Sequence, residues 1–259
     1  MSERIEPTTK GSLVAGDFAG RRAIVTGGAN GIGAAIVSRL TALGASVVVL
    51  DIETPASDVR SVHVDLSQAD DVIRAASDAV ASLGGVDVLV NCAGIAYTSD
   101  IRDLDLDRYH HVLAVNLHAP VILMRELGRE MALQGFGRIV NVSSVHARVS
   151  EPGCISYDVS KAGLEATTRV AALDLADRGV LVNAVAPGFV ATRMAITDGM
   201  DELDSEWFRT VYVDNAQLPL RRAAQPEEVA RAVAWLASAD NTYMTGQVIT
   251  VDGGMTARL

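Results

Sequence analysis

The sequence TGGANGIG occupies residues 26–33, after a short β-branched run and before an amphipathic stretch. In such a turn, glycines let the chain bend sharply after a strand, bring the backbone close to a pyrophosphate and pack the next helix against the strand. Free amide groups at the start of that helix would face the anionic ligand. The spacing is Gly-x-x-x-Gly-x-Gly rather than Gly-x-Gly-x-x-Gly, so dinucleotide binding needs further support. The predicted contacts in this segment are Gly27, Asn30, Gly31, Ile32 and Gly33.

An acidic residue after the next apolar run supplies that support. Asp51 follows Gly33 at close to the offset of about 20 residues where an acid binds the adenosine ribose. Its carboxylate would accept hydrogen bonds from the ribose of NAD and repel the 2′-phosphate of NADP. Asn30 and Ile52 add no cation beside it. The sequence therefore predicts NAD in preference to NADP, with Asp51 and Ile52 among the contacts.

Seven short β-branched runs alternate along the chain with longer amphipathic stretches. Alternation of this kind predicts a single Rossmann-like, doubly wound α/β domain, a seven-stranded parallel sheet with helices on both faces. The second helix is predicted to run to Leu83 from a capping box at Ser67 and Asp70. The other helices are predicted at residues 31–43, 105–131, 156–177 and 226–238. The runs occupy residues 23–26, 46–50, 61–64, 87–91, 138–142, 180–185 and 247–251.

No Pro-, Gly- or Ser-rich linker divides this series, so residues 21–259 are predicted to form one domain. Residues 1–20 lack periodicity, which is typical of a tail or a peripheral strap. Residues 189–220 interrupt the alternation of strands and helices and contain Trp207, Phe208 and several acids. A segment of this length in a compact domain favours a mobile substrate lid over a decorative insertion.

Charge and composition exclude several functions. The chain has 259 residues and a formal net charge of −10, which disfavours nucleic-acid partners. No apolar stretch approaches the roughly 18 residues of a membrane span, and residues 1–10 are polar, so neither membrane insertion nor export is expected. The two cysteines, Cys92 and Cys154, show no close ligand spacing. We therefore expect no metal site and a reducing, cytoplasmic setting.

Further motifs follow the glycine turn in a fixed order, and the chain resembles the classical short-chain dehydrogenase/reductase family over roughly residues 18–255. Any one of these motifs is weak, whereas the ordered series is specific. The motifs are Asn91-Cys92-Ala93-Gly94, Asn116, Ser143-Ser144, Tyr157 with Lys161, Pro187-Gly188 and Val251-Asp252-Gly253-Gly254.

The catalytic prediction centres on Tyr157 and Lys161, which are four residues apart and so share one helical face. A phenol with a pKa near 10 is a poor base at neutral pH, and a nearby ammonium favours its phenolate. The resemblance implies that Tyr157 exchanges the proton of the substrate hydroxyl and that Lys161 lowers the pKa of Tyr157 and holds the nicotinamide ribose. It also implies that Ser144 orients the substrate oxygen and that Asn116 supports a water-linked proton relay.

The resemblance also assigns cofactor contacts beyond the glycine turn. Cys92 departs from the family, in which many members have a second Asn, and we expect this side chain to serve packing. Cys154 has no base paired with it by a motif, so a thiol nucleophile is not expected. The implied contacts are Asp65 and Leu66 near adenine, Asn91, Ala93 and Gly94 on the ribose side, and Pro187, Gly188, Val190 and Thr192 at the nicotinamide.

The substrate pocket is predicted to lie between the lid and the loop from Ser144 to Tyr157. His146, Arg148 and Glu151 in this loop could hydrogen-bond a sugar or polyol, whereas the aromatic residues of the lid would equally suit a hydrophobic alcohol.

The chain is accordingly predicted to be an NAD-dependent dehydrogenase that interconverts a small-molecule secondary alcohol and a ketone. A 3-oxoacyl reductase is the nearest alternative and is disfavoured by Asp51 and the net charge. A non-catalytic NAD-binding scaffold is disfavoured by the Tyr157 and Lys161 pair. The resemblance further implies a homotetramer built on the helices at 105–131 and 156–177, although the sequence leaves dimer and tetramer open.

Overall fold

The central feature of the fold is a parallel sheet of seven strands. The computed structural model describes residues 13–197 and 199–257. The strand order is β3-β2-β1-β4-β5-β6-β9, while β7 and β8 form a separate antiparallel hairpin. The sheet and the seven predicted strands are thus confirmed. The strands are β1 Arg22–Thr26, β2 Ser46–Asp51, β3 Arg60–His63, β4 Val88–Asn91, β5 Gly137–Val142, β6 Val180–Pro187, β7 Ile196–Thr197, β8 Met200–Asp201 and β9 Val248–Val251.

The order of the strands reverses at β1, which lies between β2 and β4. Thr26 pairs with Leu50 on one side and with Asn91 on the other. The chain therefore leaves these three strands at the same edge of the sheet. In open parallel sheets a ligand binds at such a reversal, outside the carboxyl ends of the strands.

Helices cover both faces of the sheet, as predicted. Alternate residues of β1 face opposite sides: Val25 packs in a core cluster with α1 and α7, and Ile24 packs in a second cluster with α2 and α4. Each face is therefore sealed by apolar helix surfaces. The helices are α1 Gly31–Ala42, α2 Ala69–Leu83, α3 Leu106–Leu113, α4 Ala119–Gln134, α5 Ile155–Leu175, α6 Glu206–Phe208 and α7 Pro226–Ala237.

The helix predicted at 105–131 is present with one irregularity, a π-helical turn at Ala114–His118 that separates α3 from α4. Pro120 has no amide proton and cannot donate to the carbonyl of Asn116 as an α-helix would require. The turn widens instead, and the amide of Ala119 donates to the carbonyl of Ala114. Single π-helical turns of this kind are frequent at functional sites.

The capping box predicted at Ser67 and Asp70 is also wrong. Helix α2 begins at Ala69, and Gln68 occupies the capping position without a side-chain hydrogen bond to the helix. Asp65 takes the role expected of a local cap, since its carboxylate accepts a hydrogen bond from the amide of Ser67 at 2.9 Å. The Asp65 carboxylate therefore stabilises the turn before α2 and not the first turn of the helix.

The N-terminal segment is a strap where the structure describes it. Residues 1–12 of the predicted tail or strap lie outside the described residues. Phe18 is 1% exposed and packs in the cluster of α1. The amides of Gly16 and Phe18 both donate to the carbonyl of Leu43. Residues 13–20 therefore hold the end of α1 rather than extend away as a tail.

The segment predicted as a lid, residues 189–220, is organised by an aromatic cluster. Phe189 contacts Phe208 and Tyr212 at ring-centroid distances of 5.0 and 4.6 Å, and Trp207 contacts Tyr212 at 5.2 Å. The Phe208 and Tyr212 side chains are buried. This cluster places the carboxyl end of the segment against the loop that follows β5.

In the part of the chain that the structure describes, no helix combines the length and apolar character needed to cross a membrane.

Candidate active site

Close backbone approaches explain the glycines of the turn after β1. A Cβ atom on Gly33 would lie 2.0 Å from the carbonyl oxygen of Gly27, and one on Gly27 would lie 2.7 Å from Cα of Ala93. Gly31, with φ +53°, begins α1. The Asn30 side chain makes no capping hydrogen bond to the helix. Peptide amides at this helix start are therefore available to a pyrophosphate, and the turn fits the predicted dinucleotide.

The segment predicted at the nicotinamide meets the glycine turn across the cleft. A Cβ atom on Gly31 would lie 3.3 Å from Cγ2 of Thr192. Gly188 packs against Asp252, donating its amide to the carbonyl of Val251 at 3.1 Å. Val190 forms a bridge with Ala224. These contacts hold the whole run from Pro187 to Thr192 beside the turn.

Asp51 lies at the ribose edge and organises the turn. Its carboxylate accepts hydrogen bonds from the amides of Ala29 and Glu53, both at 2.9 Å. The side chain of Ile52 is 60% exposed beside it. Asp51 and Ile52 therefore lie side by side at the carboxyl end of β2, and their contact with an adenosine ribose stays a prediction.

A cation that the sequence did not place also reaches this edge. Arg193 Nη2 lies 3.0 Å from Glu53 Oε1, and Asn30 Nδ2 donates to Glu53 Oε2 at 2.9 Å. These hydrogen bonds, that of Arg193 first, lower the pKa of Glu53. The sequence shows no cation adjacent to Asp51, and Arg193 reaches the neighbouring Glu53 from 140 positions away.

The predicted adenine and ribose contacts are held by their own backbone and sheet interactions. Hydrogen bonds from Ser67 lower the pKa of Asp65, and Leu66 is buried next to it. Asn91 Nδ2 donates to Asn141 Oδ1 at 2.8 Å, so this side chain points into the sheet. The amide of Ala93 donates to Thr26 Oγ1 at 3.1 Å. The backbone of residues 91–94 is therefore the part that borders the cleft.

Helix α5 carries Tyr157 in its first turn and Lys161 one turn later. Lys161 Nζ lies 5.5 Å from the centre of the Tyr157 ring and donates to the carbonyl of Val142 at 2.8 Å. Burial lowers the pKa of Lys161 to about 8. Burial also raises the pKa of Tyr157 to about 12, against the opposing effect of a hydrogen bond with Ser144. The protein alone thus shifts the pKa of Tyr157 opposite to the predicted lowering.

The two adjacent serines point to different partners. Ser144 is 7% exposed, accepts the amide of His146 at 3.2 Å and lowers the pKa of Tyr157 against the larger effect of burial. Ser143 Oγ instead lies 3.3 Å from the carboxylate of Glu165. Of this pair, Ser144 is therefore the serine that acts on Tyr157, and its catalytic role stays a prediction.

Asn116 lies in the π-helical turn and is fully buried. Its side chain donates to the carbonyl and accepts from the amide of Ile95, both at 2.9 Å. A Cβ atom on Gly94 would lie 3.5 Å from Lys161 Nζ and 3.6 Å from Asn116 Oδ1. The structure therefore brings Gly94, Asn116 and Lys161 together, while the proton relay itself stays a prediction.

His146 borders the catalytic pair, and its partner was missed from the sequence. Its ring meets the Tyr157 ring edge to face at 5.7 Å, and Nδ1 lies 2.7 Å from Asp158 Oδ1. Asp158 directly follows Tyr157 on α5, a position that could have signalled its proximity to the site.

Two further loop residues differ in where they point. Glu151 accepts a hydrogen bond from the Tyr212 hydroxyl at 2.9 Å, which joins the loop to the lid. Arg148 Nε lies 3.3 Å from Glu165 in an ion pair, and the contact of Arg148 with substrate stays a prediction. Tyr212 is, after Arg193 and Asp158, the third residue of this region that the sequence did not single out.

Cys154 lies in a group of three residues whose side chains are of the types that bind metal ions, although the sequence predicts no metal site. The potential ligand atoms of His146, Cys154 and Asp158 lie within 4.8 Å of one another. The 2.7 Å separation of His146 and Asp158 is that of a hydrogen bond. Burial, followed by the charge of Asp158, raises the pKa of Cys154, which keeps it a thiol. Burial likewise raises the pKa of Cys92 to about 12, as expected of a packing residue.

A family sequence model described as enoyl-(acyl carrier protein) reductase matches residues 27–256. The chain is 34% identical to an acetoacetyl-CoA reductase of Allochromatium vinosum, an alignment that covers 91% of this chain and 98% of the relative. It is 37% identical to a cis-4-hydroxycyclohexanecarboxylate dehydrogenase of Sinomonas cyclohexanicum, with 93% and 98% covered.

A similar solved structure is that of a putative NAD(P)-dependent gluconate 5-dehydrogenase from Beutenbergia cavernae, with NADP bound at low occupancy. It shares 35% sequence identity with this chain at a TM-score of 0.83. The match covers 93% of this chain and 98% of that one.

Proposed function

The chain belongs to the classical short-chain dehydrogenase/reductase family of oxidoreductases, and we propose that it uses NAD to interconvert a secondary alcohol and a ketone. One observation carries the proposal: the buried Lys161 ammonium lies 5.5 Å from the ring of the half-buried Tyr157, one helical turn along α5, on the side where Ser144 acts on the Tyr157 pKa. When bound, the cofactor supplies the hydride chemistry at its nicotinamide ring.

Each catalytic residue then has one task. Ser144 hydrogen-bonds the reacting oxygen of the substrate. Tyr157 takes the hydroxyl proton during oxidation and returns it during reduction. Because burial alone raises the pKa of Tyr157 to about 12, the enzyme needs positive charge near the phenol, and Lys161 is the buried cation on the same helix face. Asn116, next to Gly94 and Lys161, supports a path by which that proton leaves.

The cofactor would lie along the edge where the strand order reverses. Amides from Asn30 to Gly33 would hold its pyrophosphate, and Thr192 would face the nicotinamide half. Asp51 and Glu53 place two carboxylates at the ribose edge and support NAD over NADP. One similar structure holds NADP, so the comparison gives no support to NAD. The proposed preference for NAD therefore rests on these two acids alone.

The substrate within this class is proposed to be a sugar or polyol, since His146 and Glu151 supply polar groups beside the catalytic pair. The similarity to an acetoacetyl-CoA reductase keeps an acyl thioester as the second candidate. The aromatic cluster around Tyr212 supports a hydrophobic alcohol as the third.

A substrate screen tests the proposed function. Formation of NADH should be measured with polyols, sugars, hydroxy acids and hydrophobic secondary alcohols, and oxidation of NADH with acetoacetyl-CoA. We expect turnover with secondary alcohols and the highest kcat/KM with polyols. A protein that binds NAD yet turns over none of these compounds, with NAD or NADP, would be a non-catalytic scaffold.

The pH dependence should differ between the two directions. Alcohol oxidation needs the Tyr157 phenolate, and burial raises the pKa of this group to about 12. The kcat/KM for oxidation should therefore rise up to about tenfold per pH unit across neutral pH. Ketone reduction needs the neutral phenol, so its kcat/KM should stay level and fall only at alkaline pH. Initial rates in both directions measure this, and oxidation that slows as pH rises would contradict the assignment.

The homotetramer, the cytoplasmic location and the single domain with a lid at residues 189–220 remain part of the proposal. Leu133 on α4 and Val170 and Leu173 on α5 are exposed apolar side chains, which supports burial of these helix faces between subunits.

A further inference from the structure

Helix α5 carries a buried acid one turn beyond Lys161. Glu165 is 4% exposed and lies four residues after Lys161, so it continues the helix face that carries Tyr157 and Lys161. A carboxylate is costly to bury, and a buried ion pair can often be replaced by apolar side chains without loss of stability. Fold stability is therefore a weak reason for an acid at this position.

The Glu165 carboxylate contacts two residues of one short segment, which runs from the end of β5 into the loop that follows. Ser143 Oγ donates to Oε1 of Glu165, and Arg148 Nε donates to Oε2, both at 3.3 Å. A carboxylate has two acceptor oxygens and no donor, so it can hold both partners at once. We call Ser143, Arg148 and Glu165 the Glu165 clamp.

Ser144 lies between the two ends of the clamp. It directly follows Ser143 and caps the 3₁₀ turn Val145–Ala147. Arg148 ends the same turn, and its amide donates to the carbonyl of Val145 at 2.9 Å. One carboxylate thus fixes both the residue before Ser144 and the residue that closes the turn after it.

The end of β5 is held by a second side chain of the same helix. Lys161 Nζ donates to the carbonyl of Val142 at 2.8 Å. Lys161 and Glu165 therefore hold two consecutive residues of β5 and the following loop against α5. Because Tyr157 also belongs to α5, these contacts fix the segment that carries Ser144 relative to Tyr157.

We propose that Glu165 is a positioning residue, which holds Ser144 Oγ in place relative to Tyr157 so that both can meet the reacting oxygen of the substrate. The inference rests on the proposed function, because it takes Ser144 and Tyr157 as the groups that contact this oxygen. Glu165 acts only through Ser144 and touches neither substrate nor cofactor. A misplacement of about 1 Å at a reacting centre costs up to about a hundredfold in rate.

Two substitutions of Glu165 should lower kcat to different extents. Glu165→Leu removes both acceptor oxygens, and kcat should fall by about ten- to a hundredfold. This variant strands no buried donor, since the Arg148 side chain is 51% exposed and Ser143 Oγ keeps the carbonyl of Lys161 at 3.5 Å. Glu165→Gln keeps one acceptor oxygen and should lose less. The KM for NAD should change little in either variant, because the clamp includes none of the predicted cofactor contacts.

A double-mutant cycle distinguishes positioning from a purely structural effect. Initial rates are measured at saturating NAD with the alcohol that gives the highest kcat/KM in the substrate screen. Ser144→Ala alone should lower kcat by about 10²–10³, the usual worth of one hydrogen bond to a reacting oxygen. Adding Glu165→Leu to Ser144→Ala should then cost little more, because the hydroxyl that Glu165 positions is already absent. A structural effect would instead add its full loss.

Controls account for folding and for charge. Thermal melting and NAD titration establish that each variant is folded, and Glu165→Gln, which is close in shape to the native side chain, carries the cycle if Glu165→Leu does not fold. Asp78→Asn removes one negative charge from an exposed position on α2 and should leave kcat unchanged.

The outcomes separate the two proposals. Wild-type kcat in a folded Glu165→Leu protein, or losses that add in the cycle, would overturn the positioning role and leave the dehydrogenase intact. Wild-type kcat in Ser144→Ala would overturn the role of Ser144 on which the inference depends. Absence of turnover by the wild-type protein with every compound of the screen would overturn the proposed function, and the inference with it.

Discussion

Replacement of Tyr157 by Phe should lower kcat for alcohol oxidation by about two to four orders of magnitude, the usual worth of a general acid–base group. The substitution removes only the hydroxyl group that exchanges the substrate proton. The ring and its edge-to-face contact with His146 stay in place, as does its position in the first turn of α5. Binding of NAD and the melting temperature should therefore change little.

The measurement combines steady-state rates with NAD titration of the same preparation. Tyr109→Phe is a matched control, because Tyr109 lies on α3 and its ring contacts His110. A folded Tyr157→Phe protein that binds NAD and keeps more than about a tenth of the wild-type rate would show that another group moves the proton. The same variant should also lose the rise of oxidation rate with pH.

The parts of the site that depend on short spacing could be predicted. The glycine turn covers residues 26–33, and Tyr157 and Lys161 are four residues apart. Over such short distances, local backbone geometry determines which side chains lie on the same face. Ser144 could be separated from Ser143 in the same way, through its distance along the chain to Tyr157. A strand, a turn and a helix carry these residues with little freedom, so their spacing in the sequence determines their neighbours, while their catalytic roles stay predictions.

The missed contacts join residues that are distant in sequence. Asp158 lies 12 residues from His146, Tyr212 lies 61 from Glu151, and Arg193 lies 140 from Glu53. None of these pairs leaves a periodic signal, since each depends on where the lid and the loop after β5 pack. The break at Asn116 is different: Pro120 was visible in the sequence and predicts a lost helical hydrogen bond.

The pKa of Tyr157 shows a further limit of sequence spacing. An ammonium four residues away predicts a lowered pKa, yet burial raises it to about 12 and lowers that of Lys161 to about 8. Desolvation depends on the complete packing around both groups, which spacing does not contain. The two shifts act in the same direction, because burial disfavours the charged form of both groups. A pair of Lys161 ammonium and Tyr157 phenolate would therefore gain from the further positive charge that a bound NAD would supply.

Removal of the two acids at the ribose edge should shift cofactor preference towards NADP. In an Asp51→Asn, Glu53→Gln protein the repulsion of a 2′-phosphate is lost, and Arg193 is freed from its ion pair with Glu53. The ratio of kcat/KM for NADP to that for NAD should rise by about 10²–10³. Two negative charges are lost, and Arg193 gains a charge-assisted contact with the 2′-phosphate. Asp58→Asn, an exposed acid of the same loop, is the control and should leave the ratio unchanged.

Arg193 decides between two explanations of that shift. If the acids only repel phosphate, Arg193→Ala in the double variant should leave the new ratio in place. If the freed guanidinium binds the 2′-phosphate, the same substitution should lower the ratio of kcat/KM for NADP to that for NAD by about tenfold. A double variant that keeps the wild-type preference would show that neither Asp51 nor Glu53 sets the cofactor. Because Arg193 directly follows Thr192, its pairing with phosphate instead of Glu53 would also connect the choice of cofactor to the position of the lid.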